Sequence, residues 1–120
     1  MPRHHRIDYL EIAVTDLTKA KEFYAAAFDW AFTDYGPGYS GIQGDEREQG
    51  GLALLEEGKS IVTGGLLAVI YSEELDDTLA AVKSAGGAIS TPPFDFPGGR
   101  RFHFKDPFGN ELAVWKQNAE

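Results

Sequence analysis

The sequence predicts an α+β domain built from two tandem βαβββ modules, with a curved mixed sheet around a cleft and helices on the outer face. Three observations predict it. Near the N-terminus an alternating strand pattern runs directly into an amphipathic helix pattern. The same opening returns almost half a chain later. Each opening is followed by short β-prone pieces separated by glycine- and proline-rich turns. Sequence identity between the halves is weak, so the repeat is one of pattern. A strand–helix opening followed by a meander puts helices on one side of the sheet. Two such units side by side leave the mixed strand faces lining a groove, where chemistry is expected. The first module spans about residues 7–63 and the second about 65–116; at 120 residues the chain is one domain by size.

The first strand covers residues 7–14. Leu10, Ile12 and Val14 share its oily face, and Tyr9, Glu11 and Ala13 share the other. Asp16 is placed to cap the following helix, which carries Leu17, Ala20, Tyr24, Ala27 and Phe28 at helical spacing and runs to Trp30. From Phe32 to Thr63 the turns at Gly36-Pro37-Gly38, Gly44-Asp45, Gly50-Gly51 and Glu57-Gly58 predict about three short strands. The polar stretch Gly44 to Gly51 is expected to be a mobile loop.

The second module opens with a strand over Gly65–Tyr71. Ser72 to Asp76 caps a helix with the apolar stripe Leu75, Leu79 and Val82, and Gly86-Gly87 ends it. A strand over Ala88–Ser90, a turn at Pro92-Pro93, and two strands around Asp106-Pro107-Phe108-Gly109 complete the module. On the last two strands Phe102, Phe104, Leu112 and Val114 point toward the helices. Arg101, His103, Lys105, Glu111, Ala113 and Trp115 then face the groove.

Composition narrows the function. The hydrophobic fraction of 42% and the aromatic fraction of 12% are those of a folded globular protein. The chain contains no cysteine, which excludes disulfides and thiolate metal sites. Its longest apolar run, Leu66 to Tyr71, is too short to span a bilayer, so no membrane partner is expected. The basic start Met1-Pro2-Arg3-His4-His5-Arg6 precedes no apolar stretch, so no secretory signal is visible and the cytoplasm is the expected location. A net charge of −8 repels a phosphate backbone and argues against nucleic acid. An uncharged or cationic small molecule suits that field better. His4 and His5 adjoin a terminus, where a bound metal would be adventitious.

Three segments carry a family resemblance. Tyr9-Leu10-Glu11-Ile12-Ala13-Val14-Thr15-Asp16-Leu17 runs into Ala20-Lys21-Glu22-Phe23-Tyr24; Phe28-Asp29-Trp30 ends that helix; and Asp106-Pro107-Phe108-Gly109-Asn110-Glu111-Leu112 joins the last two strands. In this order they resemble the vicinal oxygen chelate superfamily of glyoxalase, bleomycin-resistance and extradiol dioxygenase relatives, over about residues 6–116. The resemblance implies metal ligands on the first and last strands of each half in the metal-using members. Carried onto this chain, those positions are Tyr9, about Leu66, Ala113, and one unassigned position within Gly51–Leu55. A divalent ion needs several O or N donors at about 2 Å. Leu and Ala offer none, so the usual metal site is expected to be absent and no cofactor is expected. The resemblance also implies a homodimer with its cleft near the interface.

The groove-facing residues remain candidates for chemistry. His103 beside Glu11 or Glu111 makes an acid/base pair, so these three are the candidate catalytic residues; the structural alternative is a histidine satisfied by its neighbours. Glu11 equally suits an ion pair with Arg100 or Arg101. Tyr9, Arg101 and Trp115 are candidate ligand contacts, the two aromatics suiting a flat molecule or simple packing. Tyr35 and Tyr39 flank the Gly36-Pro37-Gly38 turn and serve either as a lid or as turn packing. Three function classes follow: a metal-independent small-molecule binder; a glyoxalase- or dioxygenase-type enzyme with a divalent ion relocated to Glu11, His103 and Glu111; and a metal-free enzyme with His103 as general base. The first is preferred, because the usual ligand set is missing and the cleft is aromatic.

Overall fold

A computed structural model describes residues 4–119. The first module comprises β1 (Leu10–Val14), α1 (Leu17–Phe28), β2 (Phe32–Asp34), β3 (Tyr39–Ile42) and β4 (Gly50–Leu54). The second comprises β5 (Ala68–Tyr71), α2 (Leu75–Ala85), β6 (Ala88–Phe96), β7 (Gly99–Lys105) and β8 (Glu111–Gln117). The mixed sheet is divided into two four-stranded sheets, ordered β1-β4-β3-β2 and β5-β8-β7-β6. In each, the opening strand lies parallel to the last strand of its own module and the other pairs are antiparallel. β1 and β5 are therefore both edges, and the modules meet at a seam between them.

Local chemistry explains the helices. Asp16 has extended backbone and its Oδ1 accepts from Lys19 N at 3.0 Å, which caps α1. α1 ends at Asp29, whose φ of 63° is left-handed and which follows an apolar rather than glycine ending. α2 starts after Glu74 and stops at Gly86, φ 114°, where glycine is needed for the left-handed turn. The oily strand faces and both helices close over one core. Val14, Phe23, Tyr24 and Leu52 from the first module meet Val82, Phe102, Phe104 and Val114 from the second.

The Asp106–Asn110 turn fastens the modules together. Asp106 is 4% exposed, and its Oδ1 accepts from Phe108 N and Asn110 N at 2.9 Å each. Its Oδ2 accepts from Tyr24 Oη at 2.7 Å and Asn110 Nδ2 at 3.0 Å. Asn110 Nδ2 also donates to Ala13 O on β1 at 2.7 Å, across the seam. Burial and the adjacent Asp106 charge push the Tyr24 phenol far above its ordinary range. The most distinctive motif of the sequence is thus a structural clasp.

β1 and β5 start three residues later than expected and α1 ends two residues earlier, and two regions differ in kind. Pro92-Pro93 does not end a strand: β6 runs through it, with register irregularities between Ile89 and Phe94. β6 is an edge strand, where a proline forfeits no ladder bond to a further neighbour. The polar loop after β3 is shorter than expected, because Gly50 and Gly51 belong to β4. Arg47 in this loop is held to Asp8 at 2.9 Å. Among the described residues, no helix is long and apolar enough to cross a membrane.

Candidate functional site

Strand alternation delivers the site side chains to the face away from the helices. Ile12 and Val14 pack in the core, which leaves Tyr9, Glu11 and Ala13 on the opposite face. Phe102, Phe104, Leu112 and Val114 are likewise core, which sends Arg101, His103, Glu111 and Trp115 outward. Between the β1 and β5 edges lies a cavity of about 700 Å³, walled largely by Leu10, Ile12, Val62, Leu66, Leu67 and Val69. Glu11 and Glu111 both line it, one from each sheet. A second hollow of about 340 Å³ lies on the seam nearer Trp30, between Ile12 and Ile70.

The candidate residues fall into two clusters, one on each sheet. On the first sheet Tyr9 Oη contacts Tyr39 Oη at 2.7 Å and donates to Glu48 Oε1 at 3.0 Å. Tyr39 Oη donates to Glu11 Oε2 at 3.0 Å, and Tyr35 Oη donates to Glu48 Oε2. Three phenol protons thus serve four oxygen–oxygen contacts, so the cluster is short of donors. Burial, then hydrogen bonding to Tyr9 and Glu11, pushes the Tyr39 phenol up. The hydrogen bond to Glu48 comes first in doing the same for Tyr35. The cluster rests on glycines: a Cβ at Gly51 would lie 2.0 Å from Tyr39 Oη, and one at Gly41 would lie 2.4 Å from Glu48 Oε1. Tyr35 and Tyr39 lie on this sheet face, and neither lines the seam cavity.

On the second sheet a chain of polar contacts runs from Arg101 through His103 to Glu111. Arg101 Nε and Nη2 stand 3.2 and 2.9 Å from His103 Nε2. A guanidinium can only donate, so Nε2 accepts and the ring proton sits on Nδ1, which faces Glu111 Oε2 at 3.3 Å. Ser90 Oγ donates to the same carboxylate oxygen at 3.2 Å. Phe94, Phe96 and Trp115 surround Arg101, and Tyr71 meets Trp115 edge-on at 5.1 Å.

His103 and Glu111 are therefore brought together, with Arg101 and Trp115 beside them. Glu11, Tyr9, Tyr35 and Tyr39 are brought together elsewhere. Among the described residues, no three His, Asp or Glu side chains gather as a metal-binding group, so Glu11, His103 and Glu111 do not form one. Glu11 takes its hydrogen bond from Tyr39, and the ion pairs of Arg100 and Arg47 go to Asp95 and Asp8. Sequence reasoning missed Glu48, because its partners Tyr9 and Tyr35 are distant along the chain. It also missed Phe94 and Phe96, whose alternation along β6 was the available signal.

The two modules fix each other's equivalent positions. Counting back seven residues from the helix caps Asp16 and Glu74 gives Tyr9 and Leu67. Leu67, not Leu66, is thus the counterpart of Tyr9; the difference arises because α2 is capped at Glu74. Glu11 pairs with Gly51 on β4, and its counterpart Val69 pairs with Ala113 on β8. Gly51 is therefore the first-module equivalent of Ala113, and the Tyr39 ring covers it.

Comparison with known proteins agrees with this architecture. The family model described as the Glyoxalase/Bleomycin resistance protein/Dioxygenase superfamily matches residues 6–114. The chain belongs to this superfamily. "Putative glyoxylase CFP32" of Mycobacterium bovis is 26% identical over 121 aligned residues, covering 92% of this chain and 45% of that protein. The chain spans about half the length of the curated relatives it matches. A glyoxalase/bleomycin resistance protein/dioxygenase family enzyme from Burkholderia phytofirmans superposes with a TM-score of 0.76 at 14% identity, covering 93% of this chain and 98% of that one. TnmS3, an antibiotic binding protein from Streptomyces, superposes with a TM-score of 0.72 at 21% identity, covering 98% and 100%. At such identities the solved structures establish the fold.

Proposed function

We propose that this chain is a small-molecule-binding protein of the superfamily that works without a metal ion. One observation carries the reading: the family's coordination positions hold Tyr9, Gly51, Leu67 and Ala113. Three of these have no donor atom, and Tyr9 Oη is engaged with Tyr39 and Glu48. Such a set does not fit a divalent ion, which needs several O or N donors. The about 700 Å³ seam cavity is of ordinary size for a small organic ligand and mostly apolar. The antibiotic-binding neighbour lends the reading support by fold alone.

The test is a thermal-shift screen of a small-molecule library, run once in EDTA and once with zinc or manganese. The reading expects hits whose stabilisation is the same in both. Hits that appear only with the metal would contradict it.

The proposal includes a homodimer. Ile7, Val62 and Leu66, 90%, 83% and 87% exposed, put apolar surface beside the seam, and the family resemblance supplies the expectation. Sedimentation at micromolar concentration should give a dimer, and a strict monomer would overturn this part. A cytoplasmic location belongs to the same proposal and rests on the sequence expectation.

A second reading, metal-free proton transfer by His103, draws on its contact with Glu111. In this geometry Arg101 occupies Nε2, so a substrate would first have to draw the guanidinium away. His103→Ala abolishes turnover under that reading, whereas under the first it leaves stabilisation by ligands of the seam cavity, which His103 does not line, intact.

A further inference from the structure

We propose that the outward face of β6, β7 and β8 is a recognition site for a planar aromatic carboxylate, with Arg101 as the anion receptor. The inference rests on the small-molecule-binding reading and names the ligand class for one part of that surface.

Arg101 has an unusual setting. It is half-buried, between Phe94 on β6 and Trp115 on β8 in the strand register. Its Cζ lies 5.8 and 5.7 Å from the Phe94 and Phe96 ring centres. Arg47 and Arg100 each hold an aspartate, at 2.9 and 2.8 Å. The ion pairs recorded among the described residues do not include Arg101. Among the described residues its hydrogen bonds go to one imidazole nitrogen and none involves Nη1. A partly desolvated guanidinium facing an uncharged acceptor gains most from an anion that matches its donor fork.

The surroundings select what carries the anion. Phe94 and Tyr71 keep 38% and 39% of their surface open. Phe96 and Tyr71 each contact the Trp115 ring, at 6.1 and 5.1 Å between centroids. Set at 78° and 54° to the Trp115 plane, the Tyr71 and Phe96 rings make an angled aromatic surface next to one positive charge, which suits a conjugated ring bearing a carboxylate through edge and face contacts. The Glu111 carboxylate is held on the far side of His103 by the Nδ1 contact and by Ser90. His103 thus positions the guanidinium and separates it from the carboxylate that would otherwise neutralise it.

The net charge of −8 disfavours anions at long range. That field is screened within about 8 Å at physiological salt, so contact geometry decides affinity and the far field only slows association.

The experiment is a two-dimensional NMR titration of the full chain with 2-naphthoate and with its uncharged analogue 2-naphthamide. Both probes should shift resonances on β6–β8, with naphthoate binding about tenfold more tightly, the worth of a charge-assisted fork. Arg101→Gln should erase that margin and leave amide affinity within about twofold, and Arg101→Lys should recover part of it. Thermal unfolding of each variant checks that it is folded. Equal affinity of the two probes for the wild type would overturn anion recognition and leave small-molecule binding standing. A margin that survives Arg101→Gln would overturn the assignment to Arg101. Absence of β6–β8 shifts with either probe would overturn the ligand class, while hits in the library screen would keep the general reading alive.

Discussion

Gly51→Ala tests whether Tyr39 fills the position equivalent to Ala113. The added Cβ would lie 2.0 Å from Tyr39 Oη, 2.2 Å from Cζ and 2.7 Å from Cε2. Carbon contacts are comfortable only at about 3.5–4.0 Å, so the ring must swing outward by more than about 1 Å. That motion breaks the contacts of Tyr39 with Tyr9, at 2.7 Å, and with Glu11, at 3.0 Å. With three phenol protons for four contacts, the motion costs one hydrogen bond, from Tyr39 to the Glu11 carboxylate, worth about 1.5 kcal/mol in a partly exposed cluster. Alanine in place of glycine in a strand returns about 0.5–1 kcal/mol. The single variant should therefore lose about 0.5–1 kcal/mol in urea unfolding. In a Tyr39→Ala background the clash is gone, and the same substitution should be neutral or stabilising by about 0.5 kcal/mol. An equal cost in both backgrounds would refute the packing of Tyr39 on Gly51.

The clasp and its pH response give the remaining predictions. Tyr24→Phe removes the hydroxyl that donates to buried Asp106 and should cost about 1.5–3 kcal/mol in urea unfolding. The folded Tyr24 phenol is raised above its unfolded value near 10, so its contribution is complete below about pH 10 and is lost as pH rises beyond it. Wild-type stability should fall above pH 10 by up to about 1.4 kcal/mol per pH unit from this residue, and the Phe variant should lack that component. Asn110→Ala leaves Ala13 O without its donor across the seam and should cost about 1–3 kcal/mol, read in the same way. Unchanged stability would remove Asn110 from the module contact.

Period-two alternation made the site faces legible, because core burial of Ile12, Phe104 and Leu112 forces Glu11, His103 and Glu111 to the other side. The Asp16 cap and the Gly86 stop were equally local and equally readable. Long-range facts were not. Pro92-Pro93 reads as a turn unless β6 is known to be an edge strand, and edge status depends on sheet order. Glu48 reads as loop polarity unless β3 and β4 are paired so that it covers Gly41 and meets Tyr9. The expected single cleft resolves into two clusters because β1 and β5 are edges of separate sheets, with Glu11 and Glu111 meeting only at the seam cavity. The motif that carries the family resemblance most visibly, Asp106 to Asn110, proved to hold the modules together.

Metal analysis of the protein purified without chelator addresses metal independence most directly. Phenol, glycine, leucine and alanine side chains at the four coordination positions predict far less than one divalent ion per chain after dialysis. One tightly retained ion per chain, lost together with ligand binding when a chelator finally strips it, would contradict the account.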